Sequence, residues 1–318
     1  MANPIWKDYN VNLGNSGSVL FRIVTGDTVI YTGRSFMRPG QTSNEIRVND
    51  ICADRLRNAF PSLLHREVSD MGTPVTFTVQ IQEGKEWKDV KSMAFINDWS
   101  YDDNFAADSG VSCPIDGMVD SRQWLIYSTY SQETNSARLT FKDGTQRSVY
   151  FTGSGASGGH YVLDLSEFAN LARIAIGDAE YTVSDKCHRY VLHYVNAYGG
   201  YDSLLAEGNS MMSDSITRHT RGVEYDNGET INRGMVNYIN EVEKSLTLRT
   251  AWLSDEASLR MHHLMNSTEV YVEDLASRKI YPVTLKATEL QYKTYRNNGG
   301  GLVNYEFAVT LAQDRTRR

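Results

Sequence analysis

The 318-residue chain carries 32 Lys and Arg against 39 Asp and Glu, for a formal net charge of -7, and its mean hydropathy is -0.44. That length allows two or three domains, each able to bury a core, and no run approaches the roughly 20 apolar residues of a membrane-crossing helix, so no membrane partner is expected. Residues 1–208 hold 18 Lys/Arg against 25 Asp/Glu (-7) and residues 209–318 hold 14 against 14 (0); between Lys91 and Arg122 there is no basic residue but six aspartates, a field that repels phosphate and speaks against the basic footprint of a sequence-specific nucleic-acid binder.

The opening Met1-Ala-Asn-Pro-Ile-Trp-Lys7 has no basic region followed by an apolar stretch, so no secretory signal is expected and synthesis is assigned to a cytoplasm. Alternation of apolar and polar residues then dominates. Ser18–Val24 and Thr28–Thr32 flank Thr25-Gly-Asp27 as a hairpin. Asn49 or Asp50 caps a helix in which Ala53, Leu56 and Phe60 share a face, and Pro61 ends it. Pro74–Ile81 alternates and turns at Glu83-Gly84 into Trp87–Met93. Ala137–Phe141 and Arg147–Phe151 flank Asp143-Gly144, a dipeptide that accepts the positive φ of a tight turn. His188–Val195 is a strand, and Val223–Tyr225 with Thr230-Ile231 forms a further hairpin about Asp226-Asn-Gly228. The last seventy residues read as one unit: strand Ser245–Thr250, helix Ser254–Met265, then strands Glu269–Asp274, Lys279–Leu290 and Tyr305–Ala312. The expected fold is mainly β, with a sandwich- or barrel-like part over 1–208, a C-terminal β/α unit over 209–318, and few short helices. Seams are expected at Asn97–Ile115 and Glu207–Asp214.

Chemistry-bearing motifs are sparse. Gly153-Ser-Gly-Ala-Ser-Gly158 fits a dinucleotide pattern, but that site needs a helix opening at the third glycine. Here Gly159–Leu163 continues as a strand, so the segment reads as a loop. His188 and His193 are five apart on a strand and point to opposite faces. His262 and His263 diverge by about 100° on a helix. Neither pair has metal-ligand spacing. Cys52, Cys113 and Cys187 lie far apart in sequence and read as buried thiols without a disulfide framework. The aspartates Asp98, Asp102, Asp103, Asp108, Asp116 and Asp120 do not follow the spacing of a calcium loop and read as a solvated acidic segment. No residue is therefore assigned to catalysis, to a cofactor or to a metal. Tyrosine stands out at 19 copies, a side chain suited to half-buried strands and to interfaces.

Three groups of residues carry a resemblance. They are Trp252-Leu-Ser-Asp-Glu256 with Ser267-Thr-Glu-Val-Tyr271 and Pro282-Val-Thr-Leu285, then Asp120-Ser-Arg-Gln123, and Asn196-Ala-Tyr-Gly-Gly-Tyr-Asp202. Together they resemble tail proteins of Bacteroidota bacteriophages and prophages, and the two-part β-rich build is similar to that of distal tail proteins of the baseplate. The resemblance implies a structural virion protein rather than an enzyme: a ring-forming homo-oligomer that joins the tail tube to the tip or hub. The alternative is a carbohydrate-binding or receptor-binding adhesin of the tail, in which Trp87, Trp99, Tyr101 and Trp124 stack on sugar. The long two-sided apolar strand Lys279–Leu290 also asks for cover from the N-terminal part or from a neighbouring subunit.

Overall fold

The computed structural model describes residues 3–56, 60–72, 74–101, 111–130, 135–153, 159–222, 235–286, 302–311 and 315–317. Strands dominate them, arranged in several sheets, with only short helices, so the fold is mainly β as the alternating pattern requires. The chain divides into two compact units. One holds residues 1–113, 124–182 and 195–202, and the other 114–123, 183–194 and 203–318. This differs from a single cut at residue 208. Two short excursions, 114–123 and 183–194, leave the N-terminal part of the sequence and fold with the C-terminal unit, which periodicity along the chain does not register.

The first unit has a sandwich-like character. Ser18–Thr25 pairs with Thr28–Phe36 and with Val75–Glu83, which pairs with Glu86–Ile96. The hairpins expected about Gly26 and Gly84 are present and run longer than the alternation suggested. Gly26, Gly84 and Gly144 hold positive φ at their turns, where a side chain would be strained. Phe21, Ile23, Phe77, Val79 and Phe95 form the centre of this core. A further antiparallel group joins Trp124–Thr129, Gly159–Asp164 and Val68–Asp70. Another joins Gln146–Tyr150, Ser136–Phe141, Leu171–Ile176 and Ala179–Val183.

The expected helix to Phe60 shortens to Asn49–Ala53, and the expected cap is absent. Asn49 is instead inside the helix, 2% exposed, and its Nδ2 donates to the Ile5 carbonyl at 3.3 Å. A buried tertiary partner has displaced the local cap. Cys52 is buried, Cys113 half-buried and Cys187 exposed, so only the first matches the expected buried thiol; burial pushes the Cys52 thiol up to about 12.

The second unit is built on one long sheet. Its strand order is Tyr201–Leu205, Tyr190–Val195, Val270–Asp274, Lys279–Leu285, Glu306–Leu311, Met235–Arg249 and Met211–Gly222, with Arg315–Arg317 also against Met235–Arg249. Leu192, Tyr194, Leu246, Leu248, Met261, Leu264, Val272 and Val309 are among its buried core. The expected helix Ser254–Met265 is two short pieces, Asp255–Leu259 and Met261–Met265, that meet at Arg260. Its start is as the sequence suggests, since Ser254 Oγ accepts the Ala257 N–H at 3.2 Å. The strand Met211–Gly222 is not among the expected elements, and its first four residues fall in the expected seam Glu207–Asp214. The hairpin expected over 223–231 and the ends of the strands expected to reach Leu290 and Ala312 lie outside the described residues.

Candidate functional site

The segment Asn196–Asp202 folds into a knot of backbone and amide hydrogen bonds in the first unit. Asn196 is 4% exposed. Its Oδ1 accepts the N–H groups of Tyr198 and Gly200, both at 3.0 Å. Its Nδ2 donates to the Val111 carbonyl at 2.6 Å and to Asp202 Oδ2 at 2.7 Å. Asp202 in turn accepts the Cys113 N–H on both carboxylate oxygens, at 3.1 and 3.0 Å. Gly199 holds φ +85° and its absent side chain leaves room for the Asn97 carbonyl, which a Cβ would meet at 2.5 Å. Gly200 has ordinary φ but packs on Val111 and Ser128, which a Cβ would meet at 2.7 and 2.9 Å. The paired glycines thus answer two different demands, one of backbone conformation and one of space.

The same knot reaches a buried serine–histidine pair. The Tyr201 N–H donates to Ser128 Oγ at 2.9 Å, and that hydroxyl lies 2.8 Å from His160 Nδ1. The Ser128 hydroxyl has one donor and two acceptor positions, so beside the Tyr201 N–H it pairs with Nδ1 in either imidazole tautomer. Burial lowers the His160 pKa to about 4, with Asp70 opposing, so the ring is neutral at physiological pH. Ser128 and His160 are both 0% exposed.

Asp120-Ser-Arg-Gln123 performs a parallel task in the second unit. Asp120 is buried and receives Arg122 through two bonds, Nε to Oδ1 at 2.9 Å and Nη2 to Oδ2 at 3.0 Å. It also accepts the Arg122 N–H at 2.9 Å, while its own N–H donates to Gln123 Oε1 at 2.8 Å. Arg122 Nη2 continues to the His188 carbonyl at 2.7 Å, and Arg278 donates to the Arg122 carbonyl. One loop is thereby tied to two segments distant in sequence. A bidentate arginine suits this better than a lysine, because its planar fork satisfies both carboxylate oxygens and still has a donor to spare.

A third chain of bonds lies in the core of the second unit. His193 Nδ1 is 2.9 Å from Ser203 Oγ and its Nε2 is 3.0 Å from Glu273 Oε2. The order serine–histidine–carboxylate is that of a hydrolytic triad. The histidine and glutamate are 0% exposed and the serine 6%, so the hydroxyl has no open side for a substrate. The arrangement instead joins three neighbouring strands: Tyr201–Leu205, Tyr190–Val195 and Val270–Asp274. Sequence reasoning missed both serine–histidine pairs, since their members lie 32 and 10 residues apart, and the glutamate is 80 away. The available signal was a histidine inside a strand of otherwise apolar residues.

Gly153 is a positive-φ glycine beside Val68, and the chain resumes as the strand Gly159–Asp164; residues 154–158 lie outside the described set. His188 bonds Ser184 Oγ and the Ala206 carbonyl, partners it does not share with His193. Among the described residues no group of three His, Cys, Asp or Glu side chains is placed to hold a metal, and no helix is long and apolar enough to cross a membrane. Of the acidic segment, Asp102, Asp103 and Asp108 are outside the described residues, while Asp98 and Asp120 are buried rather than solvated.

Asp116 gives a pH-dependent prediction. Burial, with Glu207 adding repulsion, raises its carboxyl to about 6 from 3.8, against an opposing bond from the Met118 N–H at 3.0 Å. A raised acid is more easily ionised unfolded than folded, so its presence costs stability as pH rises from about 4 through about 6. Asp116→Asn is expected to stabilise the protein by about 3 kcal/mol at pH 8 and to change little at pH 4. Urea midpoints at the two pH values check this; an equal gain at both would refute it.

Four aromatic side chains remain from the sugar-stacking expectation. Trp99 and Tyr101 are exposed, whereas Trp87 is half-buried under the Arg22 guanidinium at 4.4 Å, and Trp124 is half-buried in its strand. No protein-family model matches this chain, and no curated protein does.

Proposed function

We propose that this chain is a structural protein of a phage tail, a distal-tail or baseplate component that joins the tail tube to the tip. The observation that carries the reading is the use made of Asp120–Gln123 and Asn196–Asp202. Residues that resemble tail-protein segments spend their polar groups on internal bonds that tie distant parts of the chain together, as a load-carrying part requires. Both serine–histidine pairs are enclosed, which supports a role without catalysis. The acidic bias of residues 1–208 suits a passage to which DNA does not adhere. In this reading the partners are further copies of the chain in a ring, the tail tube and the tip or hub, and the place of action is the virion tail.

Immunogold labelling and negative-stain imaging of intact virions test the proposal. A closed ring of this protein where tube meets tip is expected, and purified protein should give background turnover on peptidoglycan, capsular polysaccharide and peptides. Separate labelled fibres or spikes would end the ring reading and favour the second one, a carbohydrate- or receptor-binding adhesin. Exposure of Trp99 and Tyr101 is the observation on its side. The half-burial of Trp87 and Trp124 counts against a flat four-ring platform.

A further inference from the structure

Met211–Gly222 is a twelve-residue strand at the end of its sheet. It pairs with Met235–Arg249 on one side, and among the described residues no strand pairs its other side. Every residue but His219 is exposed, including Met211 at 64%, Met212 at 53% and Ile216 at 45%. Free edges of this length are usually blunted by lysine, by proline or by a covering segment. This strand contains neither lysine nor proline. Its one irregularity in register, between His219 and Thr220, places the extra residue, Tyr238, in the partner strand, so the edge itself stays regular.

We propose that this free edge is where a second copy of the chain docks, by antiparallel strand addition centred on Ile216. In that register Ile216 lies opposite its own copy. Asp214 lies opposite Arg218 of the second chain, and Arg218 opposite Asp214. Ser215 meets Thr217, Ser213 meets His219, and Met212 meets Thr220. Side chains directly opposite in an antiparallel pair share a face of the sheet. Because Ile216 already faces Val242 within the chain and Asp214 faces Lys244 at 3.1 Å, the join sets Val242, Ile216, Ile216 and Val242 in one apolar row across four strands. Each Asp214 then sits between a lysine and an arginine.

The neighbouring registers are worse. Centring on Ser215 or Thr217 puts Asp214 or Arg218 opposite Ile216. Centring on Asp214 or Arg218 puts like charges face to face. Opposite charges directly across a ladder stabilise it and like charges destabilise it, so the strand is self-complementary about one residue. The contact is isologous and closes at two copies. It is therefore distinct from the head-to-tail contact of a ring and does not rest on the tail reading.

The test is sedimentation of the full-length protein across a wide concentration series. Wild type is expected to pass from monomer to dimer. Asp214→Arg sets arginine opposite arginine twice per dimer and should weaken association by about tenfold or more. Asp214→Arg with Arg218→Asp re-forms both opposite-charge pairs and should restore it. All these side chains are exposed, and unchanged circular dichroism will show that the variants fold. A wild type monomeric throughout, an Asp214→Arg variant that associates like wild type, or a charge swap that fails to restore would each overturn the proposal. Rings that persist in Asp214→Arg would leave the tail reading intact while removing this contact.

Discussion

Gly199→Val is expected to be among the most damaging single changes in the first unit, with a loss of about 3–5 kcal/mol from positive-φ strain and overpacking together. Gly199 holds φ +85°, and its Cβ would lie 2.5 Å from the Asn97 carbonyl oxygen. That oxygen belongs to backbone, so a rotamer change cannot relieve the collision. Gly200→Val should cost about 2–4 kcal/mol for overpacking alone, since its φ is ordinary and the conflict is with the side chains of Val111 and Ser128. Of the pair, Gly199 is the position of positive φ. Gly208→Ala is the control. Gly208 also has positive φ, at +75°, but nothing lies within 4 Å of its Cβ, so about 1 kcal/mol is expected from strain alone. Calorimetric melting of the three variants checks the order. Unchanged melting in both valine variants would show that the Asn196 knot tolerates side chains and does not hold the unit.

Arg122→Met tests the corresponding feature of the second unit. It leaves the Asp120 carboxylate enclosed, with a side chain 3% exposed, and without its bidentate partner. Removing one member of a buried pair typically costs 3–5 kcal/mol; about 3 kcal/mol is expected here. The lower end applies because the Arg122 side chain is 41% exposed, so water already screens one partner. Asp120→Asn in the Arg122→Met background removes the stranded charge while keeping an acceptor for the Arg122 position's N–H. It should recover part of the loss in urea denaturation. A cost below about 1 kcal/mol for Arg122→Met, as for a surface pair, or no recovery in the double variant, would show that burial of the carboxylate is not what makes the pair matter.

The legible part of this protein is its local backbone. The hairpins around Gly26, Gly84 and Gly144, the cap at Ser254 and the strands Tyr190–Val195 and Val270–Asp274 all follow from side-chain alternation and from residues that tolerate positive φ. Each depends on interactions spanning a few residues, and those are written consecutively in the chain. The arm formed by Met211–Gly222 and Met235–Arg249 was not legible beyond its last residues. Among the described residues no core lies against either face over most of its length, so an apolar side is not required and the period of two disappears. The division into units was equally hidden, because residues 114–123 and 183–194 join the second unit through bonds such as Arg122 to the His188 carbonyl, 66 residues away. The paired glycines and the Asp-x-Arg-Gln tetrad stood out in the sequence, but their partners did not. Which oxygen fills the space above Gly199, and which carboxylate lies beyond His193, depends on chain closures of 80 residues and more. Sequence alone determined where the backbone extends, turns and caps. Only the tertiary structure decided which of its buried polar groups meet, because a hydrogen bond is set by distance in space and carries no trace of its partner in the neighbouring residues.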